Sequence, residues 1–309
     1  MTDNQQLDEF GLIAELLAPL ADNEAAEKLS DDAARVSVPD GQELVISADV
    51  LVAGVHFPEN ADGGLVAKRT IACNMSDLAA KGAKPHGCLL MLGVAPHWDS
   101  GWLADFVDAF GDSLKTYEMQ LWGGDTVRAT QGFAGLTVHG LVPHGEMLTR
   151  SGAQDGDDVY VTGTIGDAFL DLLRGGAAYA DPQPPLAFGQ ALRGLANATI
   201  DVSDGLMADL DHLCVASGGV MEISAEHVPL SEAGKVHGDI KAMVSGGDDL
   251  QIAFTAAPQK AEALVKLAAT LDIKLTRIGK FSSSPRKQAL LLAADGTEII
   301  LERRGFRHF

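Results

Sequence analysis

Short apolar runs alternate with longer amphipathic segments along most of this 309-residue chain. The run at 86–94 has the pattern of a buried strand, and 99–117 has the length and apolar spacing of a helix that Asp99 would cap. Strand and helix patterns that alternate in this way are typical of layered folds in which helices cover a sheet. The sequence therefore predicts an α/β fold.

The remaining segments continue this alternation. Further strands are predicted at 43–55, 119–122, 133–143, 159–163, 220–224 and 251–254, and further helices at 10–20 (capped by Asp8), 64–82, 206–216 and 259–271. The segment 151–158, SGAQDGDD, is polar and rich in glycine, as a connection between domains often is. We therefore predict two domains, 1–146 and 147–309, each long enough to bury its own core.

The chain is strongly acidic, with 23 lysines and arginines against 43 aspartates and glutamates and a formal net charge of −20. This charge repels nucleic acid and acidic membrane surfaces, so neither is predicted as a partner. Cys73, Cys88 and Cys214 are far apart, which indicates neither a disulfide framework nor a zinc site. Without a secretion signal at the N-terminus or a run of about 18 apolar residues, the predicted location is the cytoplasm.

Five short stretches place an aspartate in a predicted turn or at a helix edge: SDD at 30–32, SAD at 47–49, NMSD at 74–77, GGDT at 123–126 and DVSDG at 201–205. The chain has no phosphate loop, dinucleotide-binding, serine-hydrolase or zinc-protease motif. Mg²⁺ bound by carboxylate oxygens is therefore the favoured means of holding an anionic substrate. Any one stretch alone is better explained as a helix cap or turn.

Two of these aspartates have specific local contexts. Asp49 follows the alternating Leu44 and Ile46 at a predicted strand end, where ligands commonly collect. Asp77 lies four residues before Lys81 on a predicted helix, so an ordinary ion pair is the alternative to metal binding.

The glycine-containing stretches also allow two interpretations. Gly123 and Gly124 follow a predicted strand and would let a phosphate approach backbone N–H groups, although a hairpin turn is the alternative. Asp201 and Asp204 precede a predicted helix, where they could bind a metal, provide an N-cap, or do both. The segment 245–249, SGGDD, repeats the Gly-Gly-Asp arrangement in the second half.

Taken together and in order, these segments resemble the thiamine-monophosphate kinases, of the superfamily that includes aminoimidazole ribonucleotide synthetase. The resemblance covers almost the whole chain, and nine motifs in sequence make it specific. They are EFGLI at 9–13, the segment 47–57 ending in GVHF, NMSDLAAKGAKP at 74–85, GGDT at 123–126, LTRSGA at 148–153, YVTG at 160–163, IDVSDGL at 200–206, SGGDD at 245–249 and GFRHF at 305–309.

The resemblance implies ATP-dependent transfer of a phosphoryl group onto thiamine monophosphate, which yields thiamine diphosphate and ADP. Several Mg²⁺ ions would bridge the nucleotide phosphates. The implied fold is of the α+β type with two domains. The N-terminal α/β domain would bind metal and ATP and form a shared β-barrel across a homodimer, and the C-terminal α/β domain would complete the active-site cleft.

The resemblance also assigns roles to individual positions. The implied metal ligands are Asp31, Ser47, Asp49, Asp77, Asp125, Asp201 and Asp204. The implied ATP contacts are Gly124, Asp125, Arg150 and Ser203, and the implied contacts to the thiamine compound are His56, Asp248 and Phe306. No general base is assigned, because the attacking phosphate oxygen is already anionic at neutral pH.

Two alternatives remain open at this point. The chain could be another ATP-using enzyme of the same superfamily, although it lacks the reactive N-terminal Cys-Gly expected of selenophosphate synthetase. It could also be a protein that binds a nucleotide or a thiamine phosphate without turnover.

Overall fold

A computed structural model of the chain describes residues 9–172 and 174–308. For residues 9 and 10 it describes only the backbone. Within these residues the chain forms two compact units. The first ends its N-terminal part at Met75 and continues with Pro85–Pro143, whereas the second consists of Ser76–Lys84 and the chain from His144 onwards. Two sequence assignments, Asp8 as a cap and Phe309 as the last motif residue, lie outside the described residues. The roles assigned to domains 1–146 and 147–309 stay predictions.

The first unit contains a four-stranded sheet in the order β1-β4-β2-β3. The strands are β1 (Gln42–Val52), β2 (Lys84–Val94), β3 (Gln120–Arg128) and β4 (Phe133–Pro143). β1 runs antiparallel to β4, and β2 runs parallel to β3. The helical segments are α1 (Glu9–Leu12), a π-helix (Ile13–Leu17), two 3₁₀ turns (Ala18–Leu20 and Glu27–Leu29), α2 (Gly63–Ala80) and α3 (Ser100–Thr116). Residues 76–80 at the end of α2 belong to the second unit.

Helix α3 forms as its sequence predicts. The Asp99 carboxylate accepts a hydrogen bond from the Trp102 N–H at 2.9 Å, which satisfies an N–H group that has no partner within the helix. Leu103, Phe106 and Phe110 recur at helical spacing and are buried. The predicted helix at 99–117 and its cap are therefore confirmed.

The GGDT motif lies inside strand β3, so its assignment to a turn is wrong. The sequence predicted a strand that ends at Trp122, but β3 continues to Arg128. Its pairing with β2 shifts between Cys88 and Leu89, which leaves Trp122 as the extra residue of a bulge. The bulge interrupts the side-chain alternation, and for this reason the sequence pattern does not reveal that the strand continues.

The position of Asp49 at a strand end is also wrong. Asp49 pairs with Leu136 of β4, and β1 continues beyond it to Val52. Its side chain is exposed on the strand. The apolar run to Val55 suggested a longer strand, but the chain turns after Val52.

The second unit contains a six-stranded sheet in the order β10-β7-β9-β5-β8-β6. The strands are β5 (Asp158–Thr162), β6 (Ala198–Val202), β7 (Gly219–Ser224), β8 (Gln251–Ala256), β9 (Leu275–Ser283) and β10 (Ala289–Leu292). The α-helices are α4 (Asp167–Leu172), α5 (Ala177–Ala180), α6 (Leu186–Ala191), α7 (Leu206–Ser217), α8 (Glu232–His237), α9 (Ile240–Ser245) and α10 (Ala261–Thr270). Among the described residues, no helix has the length and apolar character needed to cross a membrane.

A buried carboxyl group caps α4. Asp249 accepts hydrogen bonds from the N–H groups of Gly166 at 2.7 Å and Ala168 at 3.3 Å. Burial raises the pKa of Asp249 to about 8, and the nearby Asp167 and Asp248 act in the same direction against the two backbone hydrogen bonds. The folded state therefore holds a proton that the unfolded chain releases near its ordinary pKa.

We expect the contribution of Asp249 to the free energy of unfolding to fall as the pH rises from about 4 to about 8, because only the folded state keeps Asp249 protonated across this range. Asp249→Asn removes the titrating group. The change in the free energy of unfolding between pH 4 and pH 8 should therefore differ between the wild type and Asp249→Asn by at least about 2 kcal/mol. Chemical denaturation of both proteins at several pH values measures the difference. Asp239→Asn, at the exposed cap of α9, is the control, and parallel curves for the wild type and Asp249→Asn would contradict the expectation.

Candidate functional site

The first unit contains a pocket of about 630 Å³ that two of the predicted metal ligands share. Asp31 and Asp125 both line it, and both side chains are exposed. The two carboxylates come from stretches far apart in sequence, SDD and GGDT. The structure thus brings these two candidates to one pocket, where their oxygens are accessible to an ion.

The SDD stretch follows the 3₁₀ turn Glu27–Leu29. Asp31 accepts a hydrogen bond from the Asp32 N–H at 2.7 Å, a local bond of the kind that favours aspartate in turns. Leu29 has a φ of +58°, in the left-handed region that side chains with a Cβ rarely adopt. The backbone just before Asp31 is therefore strained, and glycine at this position would relieve the strain.

Gly124 is required by the packing of β3 against β2. A Cβ at this position would lie 1.8 Å from the carbonyl oxygen of Leu90, so any side chain would force the strands apart. Gly123 and Gly124 both line the pocket. No side chain of theirs therefore stands between this stretch of backbone and a bound phosphate.

The pocket also has an apolar wall that includes Leu89, Met91 and Trp122. The Trp122 ring packs against His139, with ring centroids 5.0 Å apart. Burial lowers the pKa of His139, and the neighbouring His86 acts in the same direction against a hydrogen bond with Gly87. His139 therefore contributes a neutral ring to the wall at neutral pH, a role that sequence reasoning missed because a lone histidine carries no distinctive signal.

Three further candidates of the first unit lie on or near β1. Asp49 donates its N–H to the side-chain oxygen of Asn74 at 3.1 Å, which connects the SAD and NMSD stretches. Ser47 lies two residues earlier on the same face of the strand. His56 accepts a hydrogen bond at Nδ1 from the Val52 N–H at 3.0 Å, so a neutral imidazole carries its proton at Nε2. These three side chains are not part of the described pocket lining.

In the second unit, one carboxylate organises the loop between β6 and α7. Asp209 accepts hydrogen bonds from the N–H groups of Ser203, Asp204 and Gly205 at 3.0, 3.2 and 3.1 Å. The N-cap of α7 is Gly205, so the interpretation of Asp201 and Asp204 as caps is wrong. Sequence reasoning missed Asp209, although an acidic residue in the first turn of a helix is a recognised signal.

Three carboxyl groups lie close together around this loop. Burial raises the pKa of Asp209 well above its ordinary value, and Asp201 and Asp204 raise it further, whereas hydrogen bonds from Gly205 and Ser203 oppose them. The charges of Asp201 and Asp204 act on Asp209 in addition to its burial, so these carboxyl groups repel one another. A bound cation would relieve this repulsion.

The same loop gathers two other motifs of the second unit. The Asp248 N–H donates to the Ser203 carbonyl at 2.8 Å, and the Phe306 N–H donates to the Asp204 carbonyl at 2.9 Å. A Cβ on Gly247 would lie 2.6 Å from the Ser203 carbonyl oxygen, so this close approach needs glycine. The structure therefore brings Ser203, Asp204, Asp248 and Phe306 together.

A second group of charges in this unit surrounds Lys81 and includes Asp77, Arg150 and Asp201. Asp201 is buried and accepts a hydrogen bond from the Ser76 hydroxyl at 3.0 Å. Burial lowers the pKa of Lys81, and Arg150 lowers it further, while the charges of Asp201 and Asp77 oppose this. The attraction between Asp77 and Lys81 that the sequence suggested is thus present as a charge interaction.

In the part of the chain that the structure describes, no three acidic, histidine or cysteine side chains form a metal-binding group by themselves. The predicted ligands instead occur as pairs, Asp31 with Asp125 and Asp201 with Asp204. Mg²⁺ is usually held by one or two carboxylates together with waters and substrate phosphates. The exposed carboxylates of Asp31 and Asp125 therefore fit Mg²⁺, whereas Asp201 is buried.

Comparison with known proteins identifies the family of this chain. Residues 30–142 match the family described as AIR synthase related protein, N-terminal domain. The chain is 38% identical over 322 residues to the thiamine-monophosphate kinase of Escherichia coli K12, a match that covers 97% of this chain and 98% of that protein.

Solved structures extend the match to the fold. The crystal structure of thiamine-monophosphate kinase from Stenotrophomonas maltophilia K279a has a TM-score of 0.83 at 34% identity and covers 96% of this chain and 99% of that one. AaThiL complexed with AMPPCP and TMP has a TM-score of 0.77 at 26% identity, with 97% of each chain covered. The expected mixed α/β fold is confirmed, and the chain belongs to the thiamine-monophosphate kinase family of enzymes.

Proposed function

We propose that this chain transfers the γ-phosphoryl group of ATP to thiamine monophosphate and so forms thiamine diphosphate and ADP. The observation that carries the proposal is the pocket of the first unit, where Asp31 and Asp125 lie beside the glycine backbone of β3. Paired carboxylates and an open glycine backbone suit a phosphate that arrives with Mg²⁺. The proposal is supported by AaThiL, a structural neighbour solved with AMPPCP and TMP.

The proposed reaction requires little acid–base catalysis. The acceptor is a phosphate oxygen, which is already negatively charged at neutral pH, so no side chain has to remove a proton from it. The barrier instead comes from aligning two anions in line and offsetting their repulsion. The residues that matter in this proposal therefore position phosphates and supply or hold positive charge.

Several Mg²⁺ ions held by side chains of this protein would supply that charge, and so offset the repulsion between the phosphates. Asp31, Ser47, Asp49 and Asp125 of the first unit and Asp77, Asp201 and Asp204 of the second are the proposed ligands. Arg150 and Ser203 would contact ATP directly, because a guanidinium donates two parallel hydrogen bonds to phosphate and a hydroxyl donates one.

The thiamine compound would be bound by His56, Asp248 and Phe306. His56 presents its Nε2 proton because its Nδ1 accepts the Val52 N–H, and an N–H donor suits a phosphate oxygen. Phe306 is 39% exposed and contacts the His308 ring edge-on, with ring centroids 4.8 Å apart; the Phe306 ring would also stack on an aromatic ring of the substrate. Asp248 lies beside the loop at Ser203 and could accept a hydrogen bond from an amino group.

We also propose a homodimer that shares a β-barrel through β1. β1 is an 11-residue strand at one end of the sheet order, and within the described residues it pairs only with β4. Ile46 is 59% exposed and Val50 is 50% exposed on this strand. A long apolar edge strand favours pairing with another chain unless it is covered. The cytoplasmic location stays a prediction from the sequence.

An assay for ADP formation tests the proposed activity. With Mg²⁺ and ATP present, ADP should appear only when thiamine monophosphate is added, and chromatography should show an equal amount of thiamine diphosphate. Calorimetric binding of both ligands without product would identify a binding protein instead. Turnover of ATP with a different acceptor would identify another enzyme of the superfamily.

We expect Asp125→Asn to lower turnover at least about a hundredfold, which corresponds to about 2.7 kcal/mol of lost transition-state stabilisation. The change keeps the size of the side chain and removes the charge that would hold a metal. The Mg²⁺ dependence of ADP formation and the unfolding midpoint are measured together. Asp112→Asn, at an exposed position of α3, is the matched control, and turnover near that of the control would show that Asp125 is only a strand residue.

The dimer prediction rests on the exposed apolar residues of β1. Ile46→Asp combined with Val50→Asp should convert a dimer into a monomer, because it would bury charges at the proposed interface. Sedimentation equilibrium measures the mass, and Val236→Asp, at a position of α8 that is 87% exposed, is the control. A wild-type protein that sediments as a monomer would rule the dimer out.

A further inference from the structure

The last residues of the described chain are held by individual contacts and not by regular secondary structure. Residues 301–308 contain no helix or strand, yet they carry Phe306, which the proposed function places against the thiamine compound. We call this segment the C-terminal tail. Because the tail lacks the regular backbone hydrogen bonds of a helix or strand, the position of the Phe306 ring depends on a few specific contacts.

The strongest of these contacts is a bidentate ion pair between Arg304 and Asp211. Arg304 donates from Nη2 to Asp211 Oδ1 at 2.8 Å and also from Nε to Asp211 Oδ2. The same Nη2 donates to the carbonyl of Ala289 at 2.6 Å. Asp211 also accepts the Ala289 N–H at 2.8 Å. The guanidinium is therefore fixed by both α7 and β10.

This pair differs from an ordinary surface ion pair. The Arg304 side chain is 20% exposed and that of Asp211 is 24% exposed. Two parallel hydrogen bonds from a planar guanidinium define direction as well as distance. Partial burial reduces screening by solvent, so the pair can hold the tail in one orientation.

Contacts on either side of Arg304 complete the attachment. The Ser245 hydroxyl donates to the Arg303 carbonyl at 2.7 Å, and the Phe306 N–H donates to the Asp204 carbonyl at 2.9 Å. Gly305 lies so close to α7 that a Cβ there would be 2.5 Å from the Cβ of Ala208. The tail is thus held at four successive residues, 303–306, and Phe306 lies two residues beyond Arg304 of the ion pair.

We propose that Arg304 and Asp211 are positioning residues for thiamine monophosphate, acting through Phe306. This inference rests on the proposed function. The pair fixes the tail before the substrate arrives, so that binding does not have to pay the entropy of ordering it. Neither residue contacts the reacting phosphates in this proposal, so their effect falls on substrate binding and not on the transfer step.

Kinetics of Arg304→Gln and Asp211→Asn test the inference. Each variant should raise the KM for thiamine monophosphate at least about tenfold while kcat and the KM for ATP stay within about twofold of the wild type. Arg304→Lys keeps the charge but loses the two-pronged geometry, and its KM should lie between those of the wild type and Arg304→Gln. Arg286→Gln breaks another arginine–carboxylate pair of the same unit, with Glu298 at 2.9 Å, and should leave all three constants unchanged.

A double-mutant cycle separates positioning from general stability. In a Phe306→Ala background, Arg304→Gln should change the KM by less than about twofold, because residues that act through one another are not additive. Additive effects, or an unchanged KM in the single variants of an active enzyme, would overturn the inference. A loss of kcat that follows the unfolding midpoint with KM unchanged would also overturn it.

Limited trypsin digestion examines the attachment without any activity. Intact mass should show that Asp211→Asn loses its last residues by cleavage after Arg303 or Arg304 much faster than the wild type. Equal cleavage of the two proteins would overturn the inference. The wild-type tail could also resist trypsin while the protein shows no turnover of thiamine monophosphate. That result would overturn the proposed function, and with it the role of Arg304 and Asp211 in substrate binding.

Discussion

The candidate site of the second unit depends on the conformation of the loop at 202–205. The carboxylate of Asp209 holds this loop in place. The Asp209 carboxylate accepts hydrogen bonds from three consecutive N–H groups of the loop. The loop carbonyls of Val202, Ser203 and Asp204 accept the N–H groups of Leu250, Asp248 and Phe306, respectively. Two segments far apart in sequence are thereby positioned by one local interaction. The candidate residues near the loop owe their arrangement to a side chain that need not contact any substrate.

This arrangement concentrates negative charge, and the protein tolerates the repulsion for a physical reason. The raised pKa of Asp209 has burial as its main cause and the Asp201 and Asp204 carboxylates as a second cause. Crowded carboxylates cost stability unless cations or hydrogen bonds compensate for them. Substrates that bring Mg²⁺, as proposed above, would offset this repulsion on binding. In a chain with a net charge of −20, local cation binding is what would allow a phosphate compound to approach at all.

The sequence predicted the parts of the structure that depend on local interactions. Helix α3 and its Asp99 cap follow from residues within one turn of each other. The failures come from interactions between distant segments. The bulge at Trp122 exists only because β3 pairs with β2, and the contact of Arg304 with Asp211 joins residues 93 positions apart. The candidate residues themselves were identified from the order of motifs, because no periodicity shows that Asp31 and Asp125 share a pocket.

The GGDT motif shows how packing and chemistry can be separated within one short stretch. Gly124 is fixed by the Leu90 carbonyl, since a Cβ would lie 1.8 Å from that oxygen whether or not a ligand binds. Thr126 is buried and satisfies the packing of the strand. Asp125 lies between them with an exposed carboxylate that borders the pocket. An exposed strand position favours β-branched or aromatic residues, and aspartate is disfavoured there. In the part of the chain that the structure describes, the packing of β3 gives no reason for a carboxylate at this position, and the cation binding proposed above would give one.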